Sequence, residues 1–293
     1  MTNVVTIDAP VCLGEHPVSI FVHSSAWRFK RRKVMRETWV KDIKESNISI
    51  YFVIGLTSYS QEQYQLKREA NENQDIIQIG FIENYFNTTL KTIAILRWAQ
   101  NKCDKSKFIV KVDEDALVIA DNLINLVKKL KDGKLPCECF HLANIFSLGI
   151  TGYISKIHKD MSDLDKKEGD KWFFPLAISK EIRVPMYVSG GGYIISRNAI
   201  PKLLEVIDSY EGFIIDIEDA MINGIIAERA GVPRYDNMKI RMYDCDVYCF
   251  FRDLAITYEC FNDNEIISSW TKWKNYQVGK KGCKIVNGKY IDF

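Results

Sequence analysis

The sequence predicts an α/β fold with a mostly parallel central sheet and helices on both faces. Three observations predict it. Short β-branched runs alternate with helix-patterned segments from Val18 to Lys131, a rhythm that places helices across a parallel sheet. The runs are apolar enough to be strands buried in that sheet. No stretch rich in Pro, Gly or Ser divides the chain, so its 293 residues read as a single domain spanning 1–293.

Val18 to Val22 is the first strand, and His23-Ser24-Ser25 ends it where a ligand could meet a strand's carboxyl end. Arg31 to Val40 has helical spacing, with Val34, Met35 and Trp39 apolar. Ile48 to Ile54 is a second strand closed by Gly55, Gln61 to Asn73 a solvated helix, and Asp75 to Ile79 a third strand. Asn87 to Gln100 places Leu90, Ile93, Ala94 and Trp98 near one helix face, with Asn87 or Thr88 as N-cap. Asp121 to Lys131 is helical and Gly133 stops it; Cys139 to Ala143 reads as a further strand. Ser155 to Glu181 reads as a long connection, a length more often functional than idle, and Trp172 near its tip is a packing anchor or a sugar platform. Asn198 to Ser209 is a helix with Pro201 in its first turn, and Glu218-Asp219 opens another that stops at Gly231.

The strand Phe108 to Val112 ends in Asp113, Glu114 and Asp115 before a second apolar run, Ala116 to Ile119. Charges between two such runs are costly to bury, which places them at a strand end in a cleft or on the surface. Two carboxylates one residue apart suit a hard divalent cation, Mg2+ or Mn2+. A solvated turn explains the same spacing equally well. An EF-hand loop does not, because its sixth position requires Gly and Val118 stands there. Met186 to Ser196 carries Gly190, Gly191 and Gly192 between apolar runs, marking close backbone approach. Phosphate cradling, sugar approach and tight packing all fit.

Composition excludes several classes. A net charge of +2 without a dense basic block gives no case for nucleic acid. No window of about 18 apolar residues spans a membrane, and no P-loop sequence occurs. The first residues lack the pattern of a signal peptide. Eight cysteines are compatible with disulfides whose pairing is not readable. Sequons at Asn47 and Asn87 would carry glycans only in a secretory lumen.

The order of the motifs is more specific than any one of them. Arg32-x-x-Met35-Arg36-x-Thr38-Trp39, Tyr51 to Gly55, Glu69 with Asp75-Ile76-Ile77 and Phe81-x-x-x-Tyr85-x-Asn87-x-Thr89-Leu90-Lys91-Thr92 come first. Lys111-Val112-Asp113-Glu114-Asp115, Lys171-Trp172, Tyr187-x-Ser189-Gly190-Gly191-Gly192-Tyr193 and Glu218-Asp219 follow. This series resembles the β-1,3-galactosyltransferase family, which includes β-1,3-N-acetylglucosaminyltransferases and is related to the Fringe glycosyltransferases. The resemblance runs from about Arg32 to Gly231, within a family-like core of about 17–245.

The resemblance implies a GT-A-type nucleotide-sugar-binding domain that transfers galactose or N-acetylglucosamine from a UDP-sugar, with inversion and a Mn2+ or Mg2+ cofactor, to a 3-hydroxyl of a glycan on a glycoprotein or glycolipid. It implies a Golgi lumenal enzyme with a membrane anchor, which this sequence does not show. Its metal motif falls on Asp113 and Asp115, with Glu114 where the family commonly has Asp. Ser24, Arg32, Arg36, Lys111, Glu114, Trp172 and the three glycines fall on the donor and sugar side. The catalytic acid falls on the Glu218-Asp219 pair, with Asp219 as the base. Gly80 stands where the family often has Asp. No histidine follows His158, where related enzymes often have a C-terminal histidine ligand, and Asp244 or Asp246 could substitute. That departure motivates the alternative reading, a catalytically silent lumenal carbohydrate- or nucleotide-binding relative.

Overall fold

The computed structural model describes residues 5–13, 16–131, 149–154, 185–212, 214–242, 254–258, 260, 262–279, 283–286 and 289–292. The strand expected at Cys139 to Ala143, the connection over Ser155 to Glu181 with Trp172, and Asp244 and Asp246 lie outside these residues.

The chain forms β1 (Val5–Ile7), β2 (Val18–His23), β3 (Ser49–Leu56), β4 (Ile76–Ile82), β5 (Phe108–Asp113), β6 (Leu117–Val118), β7 (Ile150–Ile154), β8 (Val188–Ser196) and β9 (Arg234–Asp236). All but β6 join one eight-stranded sheet in the order β1-β4-β3-β2-β5-β8-β7-β9. The block β4-β3-β2-β5 is parallel throughout, as the strand–helix rhythm predicts. Beyond β5 the sheet turns antiparallel through β8 and β7, so the whole is mixed. β6 pairs instead with β11 (Ile256–Tyr258), beside β10 (Ile240–Met242), in a small second sheet.

The apolar runs are explained by burial on both sides. Ile50, Phe52 and Ile54 of β3 enter one core, while Tyr51 and Val53 enter the other. The first core holds Met35 of α1 (Phe29–Glu37), Trp39 and Ile43 of α2 (Trp39–Glu45), Leu66 of α3 (Ser60–Asn73) and Leu126 of α5 (Ala120–Lys131). The second holds Ile95 and Leu96 of α4 (Thr88–Lys102), Leu203 of α6 (Ala199–Asp208) and Met221 and Ile225 of a π-helix over Ala220–Ile226. Each such side chain contributes about 1.5–3 kcal/mol by leaving water.

Three local readings change. The helix expected over 31–40 is two helices, because Thr38 leaves helical geometry at φ −115° and its hydroxyl donates to the Val34 carbonyl at 2.8 Å. Strand β3 runs through Gly55, where an added Cβ would lie 2.9 Å from Glu83 Cα; the glycine permits close strand approach rather than ending the strand. Asn87 does not cap α4: its amide donates to the Ile82 carbonyl, while Asn84 caps the preceding turn by accepting from the Phe86 N–H. A disulfide joins Cys12 to Cys103 at the end of α4, 91 residues apart.

Candidate active site

The carboxyl ends of β2 and β5 lie side by side, with His23 opposite Asp113 in register. A tight turn, Ala116 N–H to the Asp113 carbonyl at 3.1 Å, follows and turns the acids out of the sheet. The three acids then diverge. Asp113 has a side chain 40% exposed. Asp115 carries one carboxylate oxygen, Oδ1, that is buried without a hydrogen-bond partner. Burial, with the Asp113 charge beside it, pushes its carboxyl up to about 7. Glu114 accepts from Ser24 Oγ at 3.2 Å and pairs with Arg28 at 3.0 Å, so it ties the β2 exit loop down rather than reaching a ligand. Burial raises the Glu114 carboxyl as well.

Lys111, one turn of the pleat before Asp113, is buried, and its ammonium donates to Asp113 Oδ1 at 2.7 Å, the Gly190 carbonyl at 2.7 Å and Glu218 Oε2 at 3.3 Å. Those three acceptors match its three protons. Lys111, expected on the donor and sugar side, thus locks β5, β8 and the 218–219 turn together. Despite burial, the surrounding Asp113 and Glu218 charges hold its pKa above the usual lysine value.

The adjacent acids 218 and 219 separate in role. Glu218 is buried and accepts from Thr92 Oγ1 at 2.8 Å, the Tyr193 hydroxyl at 2.6 Å and Lys111. Both oxygens of its carboxylate thus have internal partners. Asp219 is partly buried; Oδ2 accepts from the Gly190 N–H and Oδ1 from the Ala220 N–H, both at 2.9 Å. Burial first, and then the Glu218 charge, push its carboxyl up to about 7. Asp219 is the acid poised to exchange a proton near neutrality.

The glycines also divide. An added Cβ at Gly190 would lie 3.2 Å from Asp219 Oδ2 and 3.3 Å from Glu218 Oε2. At Gly191 it would strike the Tyr258 ring, and at Gly192 it would lie 2.8 Å from Ile256 Cγ2. The close approach at Gly191 and Gly192 is packing against β11, while Gly190 stands beside Asp219.

Arg32 and Arg36 are held by internal partners. Arg32 is fully buried; Nε and Nη2 bind Glu69 at 2.8 and 2.7 Å, Nη1 binds Ser24 Oγ at 3.0 Å and the Ser25 carbonyl, and Nη2 also reaches the Ala26 carbonyl at 3.3 Å. Arg36 binds both oxygens of Asp75, at 3.0 and 2.7 Å, and Glu69 at 2.6 Å. Their bidentate geometry is spent on internal carboxylates. Arg32 still shapes the site, because it fixes the loop carrying Ser24.

Sequence reasoning gave no individual role to Lys91, Glu83, Thr92 or Tyr193, and took His23 only as part of a strand end that a ligand could meet. Lys91 donates to the Ser24 carbonyl at 2.8 Å and to Glu83 at 2.7 Å, both side chains buried. His23 lies 3.2 Å from Thr92 Oγ1 and 3.7 Å from Asp113 Oδ1, kept neutral by burial and by the charges of Lys111 and Lys91. The signal for two of these was the Leu90-Lys91-Thr92 motif itself, whose polar residues sit in an otherwise apolar helix.

Asp113 and Asp115 fit a divalent cation on one observation, the buried and unpartnered oxygen of Asp115 beside a second carboxylate. Among the described residues no third His, Cys, Asp or Glu joins them.

The bifunctional glycosyltransferase WbbM superposes with a TM-score of 0.49 at 11% identity, over 94% of this chain and 54% of that one. The human N-acetyllactosaminide beta-1,3-N-acetylglucosaminyltransferase 3 is 23% identical over 280 residues, covering 90% of this chain and 70% of the relative. The zebrafish lactosylceramide 1,3-N-acetyl-beta-D-glucosaminyltransferase A is 25% identical over 228 residues, 75% of this chain and 56% of the relative. A beta-1,3-galactosyltransferase of Drosophila melanogaster is 27% identical over 251 residues, 86% of this chain and 68% of the relative. The chain thus spans 56% to 70% of these relatives' lengths. The family model described as galactosyltransferase matches residues 30–238, which holds every acid and glycine of the site, and the chain belongs to that galactosyltransferase family.

Proposed function

We propose that the chain is the single catalytic domain of an inverting β-1,3-hexosyltransferase, moving galactose or N-acetylglucosamine from a UDP-sugar to a 3-hydroxyl of a glycan acceptor. The observation that carries the reading is the placement of Asp219, held by the Gly190 N–H at 2.9 Å, while the Gly190 carbonyl accepts from Lys111, which also donates to Asp113 across the cleft; burial pushes the Asp219 carboxyl up to about 7. Family membership and the names of its relatives support the donor and linkage classes.

Asp219 takes the proton of the acceptor hydroxyl as its oxygen forms the bond to the anomeric carbon. The bond from that carbon to the diphosphate oxygen breaks, and its electron pair leaves on UDP. Asp113 and Asp115 would hold Mn2+ or Mg2+, which when bound stabilises the negative charge developing on the diphosphate. Gly190 leaves space beside the base, and Lys111 fixes the distance between the two acidic groups. Lactosylceramide in the zebrafish relative's name supports a glycolipid acceptor, and the family resemblance supports a glycoprotein acceptor and a Golgi lumenal setting as well; among the described residues no helix is long and apolar enough to cross a membrane.

Calorimetric titration with UDP, in Mn2+ and then in EDTA, tests the donor site. Metal-dependent binding that disappears in Asp115→Ala is expected. Binding indifferent to EDTA would remove the carboxylates from the diphosphate site.

A further inference from the structure

Beside the acids stands an aromatic residue that the mechanism does not use. Trp27 is 51% exposed, although the positions before it are buried, Ser24 at 2% and Ala26 at 0%. An exposed indole of this size forgoes the stabilisation that burial would give. The turn that presents it is held from several directions. Ser24 N–H donates to the Val53 carbonyl at 3.1 Å, and Arg28 N–H to the Ser25 carbonyl at 3.0 Å. Arg32 takes Ser24 Oγ and the carbonyls of Ser25 and Ala26, and Lys91 takes the carbonyl of Ser24. Two buried cations thus fix a single exposed ring.

The turn is also fastened to the acid cluster. Arg28, next to Trp27, pairs with Glu114 at 3.0 Å, and Ser24 Oγ donates to the same carboxylate. The indole therefore projects from the exit of β2, the neighbour of the strand that delivers Asp113. In open α/β sheets a nucleotide lies across neighbouring strand ends. With the diphosphate at Asp113 and Asp115, its nucleoside meets the adjacent strand end, where Trp27 stands. A flat apolar face on a prefixed turn binds a flat ring at little entropic cost.

We propose that Trp27 is the stacking surface for the pyrimidine base of the donor nucleotide. The proposal rests on the diphosphate–metal reading above. Base–aromatic stacking of this kind changes affinity by about ten-fold to a hundred-fold.

Two probes separate the base from the diphosphate: UDP and inorganic pyrophosphate, each titrated calorimetrically with Mn2+ into the wild-type protein, Trp27→Ala and Trp27→Phe. Expected are a UDP affinity reduced at least about ten-fold in Trp27→Ala and largely kept in Trp27→Phe, with pyrophosphate affinity equal in all three. An unchanged melting temperature confirms that the exposed site tolerates the change. Unaltered UDP affinity in Trp27→Ala overturns the proposal, and so does an equal loss for both probes, which would make Trp27 a support of the acid turn. Wild-type protein that binds pyrophosphate no more weakly than UDP overturns this proposal alone; wild-type protein that binds neither overturns the donor reading with it.

Discussion

The backbone N–H of Gly190 donates to Asp219 Oδ2 at 2.9 Å, joining the glycine tract of β8 to the acid at the head of the π-helix. The bond orients one carboxylate oxygen, and an added Cβ at Gly190 would stand 3.2 Å from it, tight enough that the carboxylate would have to shift. Gly190→Ala should push the base aside, lowering kcat about ten-fold to a hundred-fold while leaving metal-dependent UDP binding intact. Single-turnover rates measured with saturating donor decide it; loss of UDP affinity without loss of rate would place Gly190 on the donor side instead.

Asp219 should set the acid limb of the pH profile. With its carboxyl raised to about 7, transfer should climb as pH rises through neutrality and then level, and Asp219→Asn should lose about 10²–10⁴-fold together with that limb. The sign for stability is the opposite. Between the ordinary Asp value of 3.8 and about 7 the folded protein holds a proton that the unfolded chain has released, so this group's contribution declines as pH rises through that window. Asp219→Asn should therefore lose that decline, its melting temperature changing less than the wild type's as pH rises through this window. An equal pH dependence in the two proteins would contradict the burial argument.

Arg36 belongs to the framework and not to the donor site. Arg36→Leu strips a bidentate partner from Asp75, whose side chain is 3% exposed, and one from Glu69. Leaving buried carboxylates short of charge should cost about 3 kcal/mol in urea unfolding, with the UDP dissociation constant unmoved in protein that remains folded. A variant with normal stability and weakened UDP binding would restore the phosphate role.

The two sequons should behave differently in a secretory host. Asn47 is exposed in a left-handed turn at φ 53° between α2 and β3. Asn87 instead donates to the Ile82 carbonyl, and the hydroxyl of its Thr89 is buried on the Ile215 carbonyl. Asn47→Gln should abolish a glycosidase-sensitive mobility shift that Asn87→Gln leaves in place; the reverse pattern would show that the second site stays open long enough to be modified.

The parallel block and both helix layers were legible because buried strands and amphipathic helices write their periods directly into Val18 to Lys131. The turn to antiparallel beyond β5 was not, since nothing in the composition of β8 records the direction of its neighbour. Asp113, Asp115 and Asp219 were singled out because acids at strand and helix ends stand out against apolar runs. The internal pairing of Arg32, Arg36, Lys111 and Glu218 was not legible, for a single physical reason. A charged side chain looks the same in sequence whether it meets a ligand or a buried counter-charge, and all four meet the latter.

The Cys12–Cys103 bridge sets a condition on how the molecule can be made. It closes a 91-residue stretch that contains β2, β3, β4 and the whole of α4, and so the turn that carries Trp27 and the buried cations that brace it. A cross-link over a span of this length removes about 4–5 kcal/mol of chain entropy from the unfolded ensemble. In a reducing cytosol the same polypeptide would forgo that constraint, and material from such a source would present a looser first half. Protein for ligand measurements therefore belongs in an oxidising host, with free thiols counted before any titration begins.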